Sequence, residues 1–295
     1  MPTRTQEMPK ISIVTPSFNH AGFIEEALLS VKKQNYPNLE HIVVDGGSTD
    51  GTLEILQRYG SQPGWGHLRW TSEPDHGQSD ALNKGFRLAQ GDIVGWLNSD
   101  DRYRVGCLQK IVQAFSTHSQ ADVIYGDYTW IDQQGRVLRI RREIRFSQFI
   151  LSYLHLLYVP TTSSFFRRRI FDEGNWIDLN FYCAMDYEFV LRLAQKGYKF
   201  QHVSGLVADF RVHDGSKSVA FRKRSLSEHN EIALAHVRFL QHFSGDKVRR
   251  VVLATLRIAA RALRYSEKLL RGYYFDQFRP SLPGVLRWRD EHCPQ

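Results

Sequence analysis

Residues 93–101 read Ile93-Val94-Gly95-Trp96-Leu97-Asn98-Ser99-Asp100-Asp101: an apolar run of strand length that stops on four polar residues, two of them acids. A short continuous apolar run bounded by polar residues suits a strand buried on both faces. Two adjacent acids directly after such a strand suit a hard divalent cation, whose preferred ligands are carboxylate oxygens. They suit equally well the first turn of a following helix, where the macrodipole favours negative charge. Taken alone, the pair leaves these readings even.

Working outward from this segment, the first hundred residues alternate strand and helix patterns. Residues 11–15 form a β-branched apolar run closed by Pro16, followed by a helical pattern over about 22–34. A second strand is expected at 41–44, ending on Asp45, and then a Gly-rich turn in which Ser48 or Asp50 is placed to cap a helix. Residues 68–71 read as a third strand and 78–89 as a third helix. Strands spaced by helices predict βαβ units and a mainly parallel sheet. Ligands of such sheets bind beyond the carboxyl ends of the strands. Three polar clusters sit at such ends: Thr15-Pro16-Ser17, Asp45-Gly46-Gly47-Ser48 and residues 98–101. They are expected to converge on one crevice.

Residues 120–215 mix short strands (123–125, 137–141, 163–167, 206–211) with a helix near 187–195, as a mixed continuation of the same sheet. From about 221 to 272 the pattern is helical. The expected organisation is an α/β domain over 1–220 and a basic helical extension over 221–295.

Composition excludes several classes. The chain has 295 residues, 42% of them hydrophobic and 24% charged, a globular balance with a substantial core. Cys107, Cys183 and Cys293 are far apart and make no C-x-x-C pair, so neither a zinc ribbon nor a disulfide framework is expected. No apolar h-region is read in residues 1–10, and no apolar run reaches the roughly 20 residues that span a bilayer. These features predict a cytoplasmic protein. The net charge of +8 lies wholly in residues 222–295, which hold 15 basic and 7 acidic residues. No RRM, zinc-finger or helix-turn-helix signature accompanies that excess, so no nucleic-acid partner is expected.

Three segments together carry a family resemblance: Ile11-Ser12-Ile13-Val14-Thr15-Pro16-Ser17-Phe18-Asn19, Val43-Val44-Asp45-Gly46-Gly47-Ser48-Thr49-Asp50-Gly51-Thr52, and Trp96-Leu97-Asn98-Ser99-Asp100-Asp101. In order and spacing they resemble glycosyltransferase family 2, with its GT-A fold, and in particular the branch that elongates bacterial surface polysaccharides. The resemblance continues through residues 78–85 and on to about 218. It implies an inverting transfer of a sugar from a nucleotide-sugar donor, UDP-linked, to a hydroxyl of a glycan or lipid-linked oligosaccharide. It also implies a Mn²⁺ or Mg²⁺ cofactor.

By that resemblance Thr15, Pro16 and Ser17 line the nucleoside pocket, Asp45 hydrogen-bonds the base, and Ser48 adds a contact nearby. As ordinary structure, Thr15 and Ser17 are strand-end caps and Asp45 a turn acid. Gly77 permits close backbone approach to the pyrophosphate. Lys84 neutralises phosphate or is a solvated helix lysine, and Asp80 meets sugar hydroxyls. Ser99 falls within the donor segment. The family pattern is Asp-x-Asp, whereas this chain has Asn98-x-Asp100. The Asn98 amide can hydrogen-bond a ribose of the donor but is a weaker, neutral metal ligand, so the metal falls chiefly on Asp100; Asp101 is either a further ligand or a helix cap.

Asp186, in Ala184-Met185-Asp186-Tyr187-Glu188, matches the position of the catalytic base, with Met185 in place of a neighbouring acid. Its structural alternative is an N-cap. His213 matches a metal- or diphosphate-contacting histidine, with Arg211 and Lys217 either reaching phosphate or solvated. Trp96, Trp130 and Trp176 are candidates for sugar stacking, Trp96 also for the core. Two other functions compete with this reading: a sugar nucleotidyltransferase, whose Gly-rich phosphate loop is absent after Val14, and a binding protein that has lost its chemistry.

In the extension, Arg250, Arg257, Arg261, Arg264, Lys268 and Arg271 recur at helical spacing with apolar residues between them. The apolar stripe is expected to pack on the catalytic domain or another subunit. The cationic stripe is expected either to face solvent or to lie against an anionic membrane, peripherally on the inner face of the cytoplasmic membrane.

Overall fold

A computed structural model describes residues 8–236 and 245–274. Cys293 and most of the N-terminal stretch read for a leader lie outside them. The alternating pattern of the first hundred residues folds as β1 (Ile11–Ser17), α1 (Ile24–Lys32), β2 (Leu39–Asp45), α2 (Thr52–Gly60), β3 (Leu68–Ser72), α3 (Gln78–Leu88) and β4 (Ile93–Trp96). The chain continues through β5 (Arg102–Tyr103), α4 (Cys107–Thr117), β6 (Val123–Ile131), β7 (Val137–Arg141) and α5 (Gln148–Leu154). A 3-10 turn (Thr161–Ser163) leads into β8 (Ser164–Arg167), α6 (Arg169–Asp172), α7 (Met185–Gln195) and β9 (Phe200–Arg211). Three helices close the described chain: α8 (Lys217–Ala220), α9 (Arg222–His236) and α10 (Asp246–Leu270).

The strands form one sheet in the order β3-β2-β1-β4-β8-β6-β9-β5, with β7 on β6. β3, β2, β1 and β4 are mutually parallel, as the βαβ pattern requires, and β8 runs antiparallel to both β4 and β6. Both faces of the first half are covered, which is why its strands read as continuous apolar runs. Ile11 and Ile13 pack with residues of α1 and α4 on one face, and Val14 with residues of α3 and α7 on the other. Gly85 lets α3 approach the sheet closely, because a Cβ there would collide with Val14.

The acid pair does not open a helix. After residue 101 the chain enters β5, and the next helix, α4, starts later with Gly106 at its N-cap. The helix-cap reading of Asp101 therefore does not hold. The C-terminal helices are built into the fold. Ile232 of α9 is buried with Tyr187, Val190 and Leu191 of α7, and α10 packs on α5.

The two stripes of α10 depart in part from expectation: Arg250 and Arg261 are exposed and Val252 and Leu256 half-buried, as expected, but other members change sides. Arg264 and Lys268 turn inward to the buried Glu143, at 3.0 and 3.5 Å, and Arg257 donates to Asn230. The apolar Val251, Ile258 and Leu269 face outward. The reason is Glu143: a carboxylate buried in the domain needs cationic partners, and α10 supplies them.

Candidate active site

β4 delivers residues 98–101 to the crevice, and each of the four side chains has a distinct set of partners. Asn98 is a connector. Its Oδ1 accepts from Trp96 Nε1 at 2.8 Å and Gln78 Nε2 at 2.9 Å, and its Nδ2 donates to Asp101 Oδ2 at 3.2 Å. An ionised aspartate here could accept but not donate to Asp101, so this departure from the two-acid pattern fits its surroundings. Asp101 is a buried strut. Besides Asn98, it accepts from Thr162 Oγ1 at 2.5 Å and from the backbone N–H of Arg211 at 2.8 Å. Burial, and then the Asp100 charge beside it, push its carboxyl well above the usual range. With both oxygens engaged in holding β4, the 3-10 turn and β9 together, Asp101 is not presented as a metal ligand.

Asp100 is presented. Its Oδ2 lies 3.1 Å from His213 Nε2, across 113 residues of sequence. β9 brings His213 there, and Arg211 fixes the approach. The wholly buried guanidinium of Arg211 donates to the carbonyl of Asp100 (2.8 Å), to those of Asp132 and Gln133, and to Glu26 (2.7 Å), and it stacks on Phe23. It is a clamp on the site's backbone, neither a phosphate ligand nor solvated.

Sequence pattern gives no signal for His20, which joins the cluster. Its Nδ1 meets Ser99 Oγ, and its ring lies edge-on to His213 at 6.5 Å between centroids. Burial holds His20 below the usual histidine range, against the pull of Asp100.

Among the described residues, no group of three or more His, Cys, Asp or Glu side chains is placed to hold a metal. Asp100 and His213 alone are a hard oxygen and a borderline nitrogen donor. That pair suits Mn²⁺ or Mg²⁺ when diphosphate oxygens and water supply the other ligands.

At the end of β1, Thr15 is wholly buried and its hydroxyl meets His41 Nε2 at 2.9 Å, inside the sheet. Pro16 is buried beside it. Ser17 Oγ, at the strand end, is buried without a hydrogen-bond partner. Asp45 shapes the Gly-rich turn: it accepts from the N–H groups of Gly47 and Ser48 and from the hydroxyls of Ser48 and Ser72. Gly77, the N-cap of α3, has φ +100°, and nothing lies within 4 Å of where its Cβ would stand. Asp80 and Lys84 pair with each other at 3.4 Å, and Lys84 with Glu73 at 2.8 Å. Lys84 is thus an ion-paired helix lysine. Trp96 is buried in the core, while Trp130 and Trp176 carry Arg141 and Arg87 over their rings.

α3 ties the donor segment to the second acidic position. Gln78 bonds Asn98, and its neighbour Ser79 donates to Met185 Sδ at 2.9 Å. Met185 is a core residue, which accounts for an apolar side chain beside Asp186. Asp186 is half-buried in the first turn of α7, whose N-cap is Ala184, so Asp186 is not the cap. Burial raises its carboxyl above the ordinary range, opposed by His229 and Lys217 nearby. Lys217 is itself held low by burial and sits 4.2 Å over the Tyr182 ring, so it is not solvated. Glu188 is spent on a two-point ion pair with Arg192.

Glu228 of α9 accepts from three consecutive backbone N–H groups, Tyr182 at 3.2 Å, Cys183 at 2.7 Å and Ala184 at 2.9 Å. It holds the loop that leads into Asp186. No motif points to it, because it lies in the helical extension.

Comparison with known proteins follows the same outline. Residues 12–174 match the model of glycosyl transferase family 2. Over 190 residues the chain is 35% identical to an uncharacterized glycosyltransferase of Mycobacterium tuberculosis, covering 63% of this chain and 69% of that protein. Over 134 residues it is 37% identical to the putative teichuronic acid biosynthesis glycosyltransferase TuaG of Bacillus subtilis, covering 45% of this chain and 52% of that one. The S. aureus TarS structure in complex with UDP-GlcNAc aligns with a TM-score of 0.61 at 19% identity, over 84% of this chain and 71% of that one. The mannosyltransferase PcManGT from Pyrobaculum calidifontis, in complex with GDP-Man and Mn²⁺, aligns with a TM-score of 0.61 at 19% identity, over 93% and 82%. At such identity the structural likeness speaks to the fold. The chain belongs to glycosyl transferase family 2 and is a glycosyltransferase of the GT-A fold.

Proposed function

We propose that this glycosyltransferase is metal-dependent and inverting. It transfers a sugar from a nucleoside diphosphate sugar, with UDP the first donor to test, to a hydroxyl of a glycan or lipid-linked oligosaccharide. The observation that carries this reading is a continuous line of contacts. Asp100 meets His213, the Asn98 beside them bonds Gln78, and Ser79 bonds Met185 next to Asp186. Through α3 these contacts link the segment of the metal-suited pair to that of Asp186, a carboxylate of raised proton affinity, which supports reading both as one site.

Inversion needs a base on the acceptor side. Asp186 takes the proton of the acceptor hydroxyl as that oxygen bonds to the anomeric carbon. The bond from that carbon to the diphosphate breaks, and its electron pair leaves with the nucleoside diphosphate. Burial of Asp186 makes its carboxylate a better proton acceptor than one in water. The transition state is oxocarbenium-like, as in glycoside hydrolysis. Asp100 and His213 would hold Mn²⁺ or Mg²⁺, which offsets the charge of the departing diphosphate.

On the nucleoside side, the unpartnered Ser17 Oγ and the turn held by Asp45 and Ser48 form the floor, with Gly77 open toward the pyrophosphate. Engagement of Thr15, Asp80 and Lys84 with other residues supports structural roles for them. Asp101 and Asn98 act by fixing Asp100.

The test is Asp186→Asn with a panel of nucleotide sugars. Donor binding is expected to survive, while kcat for transfer falls by about 10²- to 10⁴-fold. Product analysis by NMR should show the inverted anomer. Retention of configuration, or full activity in Asp186→Asn, sinks the assignment.

A further inference from the structure

α10 presents apolar side chains to the outside, with the cations Lys247, Arg250 and Arg261 exposed among and beside them. Arg257, Arg264, Glu267 and Lys268 all bond inward, to Asn230, Glu143 and the Arg145 backbone. Val251, Ile258, Tyr265 and Leu269 stand at i, i+7, i+14 and i+18, which a 3.6-residue repeat keeps on one side. Val251 is 66% exposed, Ile258 71%, Leu269 56% and the neighbouring Leu270 87%. The arc runs along a helix about 37 Å long. A strip of that extent matches the largest apolar patch of a typical monomer, and such patches are often functional.

We propose that this face of α10 lies in the surface of an anionic lipid bilayer, with the helix axis parallel to the membrane. Three observations select that occupant. Lys247 and Arg261 are exposed along the strip, and Glu267 is turned away from it. The net charge of +8 lies wholly in the quarter of the chain that contains this helix, and on α10 Lys247, Arg250 and Arg261 carry part of it to the exposed side, which complements acidic headgroups. No helix among the described residues is long and apolar enough to cross a membrane, so the strip suits lying in the interface. A second copy of the chain fits less well. One helix face of about 37 Å by about 10 Å offers roughly 400 Å², about half of what each partner buries in a standard interface.

The test is flotation of the full chain with phosphatidylcholine vesicles, with and without phosphatidylglycerol, in the absence of any sugar donor. Its outcome is therefore separate from that of the transferase proposal. The wild type should float with the anionic vesicles and less with the neutral ones. Ile258→Glu/Leu269→Glu, both exposed and so compatible with folding, should weaken binding by on the order of tenfold or more. Arg261→Glu should weaken it by roughly fivefold or more. Failure of the wild type to float with anionic vesicles overturns the proposal, as does a double variant that floats like wild type. A dimer in sedimentation velocity that the double variant dissolves also overturns it, in favour of a second copy.

Discussion

Glu228→Ala tests whether a residue outside the family-matched segment builds the acceptor side of the site. The carboxylate accepts three backbone N–H groups and pairs with Arg224 at 2.8 Å. Hydrogen bonds to a charged acceptor contribute about 1.5–3 kcal/mol each, so a simple sum for the three N–H groups would exceed 4 kcal/mol. Ala184 is fully buried, whereas Tyr182 and Cys183 are partly open to water, which can replace their lost acceptor. We therefore expect a loss of about 3 kcal/mol in urea unfolding at pH 7 for Glu228→Ala, and about half of that for Glu228→Gln, which keeps one acceptor. Burial pushes the Glu228 carboxyl up, but the Ala184 and Cys183 N–H groups and Arg224 outweigh it and hold it below its ordinary 4.5. A lowered folded pKa gives stability that is complete above pH 4.5 and lost as pH falls through the folded value, so the gap to the variant should close in acid. In the assay of transfer, the freed loop displaces Asp186, and kcat should fall by about 10- to 100-fold. Donor affinity should stay within about twofold, because the donor segment is untouched. Equal stability of variant and wild type, or a fall in donor affinity matching that in kcat, would show that Glu228 does not hold the loop before Asp186.

Asn98→Asp, which restores the two-acid pattern, should lower stability by about 2–3 kcal/mol at pH 7.5 in EDTA, because it removes a donor and sets a carboxylate against buried Asp101; a neutral or stabilising effect in urea unfolding would contradict the connector role. His41 and His155 are held neutral by burial, with pKa values lowered to about 3 and about 4 from 6.5. Above pH 6.5 they contribute nothing to the pH dependence; below it the unfolded chain binds more protons, and stability should fall by about 1.4 kcal/mol per pH unit for each. In thermal or urea unfolding between pH 6.5 and 4.5, His41→Gln should remove about 1.4 kcal/mol per pH unit from the wild-type slope, and an unchanged slope would count against the assignment.

Strand ends and their polar clusters were legible because a buried parallel strand has an unmistakable apolar run and ends abruptly. Hence residues 11–15, 41–44 and 93–97 align with β1, β2 and β4. The pairing of Asp100 with His213 followed from the family resemblance, since no local pattern joins residues 113 apart. What stayed hidden depends on tertiary partners. Asp101 has the same side chain as Asp100, and only Thr162 and the Arg211 backbone make it a strut. Glu228 reads as one acid on a basic helix until the loop before Asp186 is seen against it. The cationic stripe of α10 reads as surface, because nothing in the helix itself reveals that Glu143 is buried beneath it.

In the proposed site, Asp100 and His213 bind metal together with a nucleoside diphosphate. Calorimetric titration of UDP, GDP and their sugars into the full chain, with Mn²⁺ or with EDTA, tests it most directly. At least one nucleotide should bind in Mn²⁺, about tenfold or more weaker in EDTA and in Asp100→Ala or His213→Ala, with Asp186→Asn unaffected. Binding that is equal with and without Mn²⁺, or no nucleotide binding in Mn²⁺ at all, would contradict it.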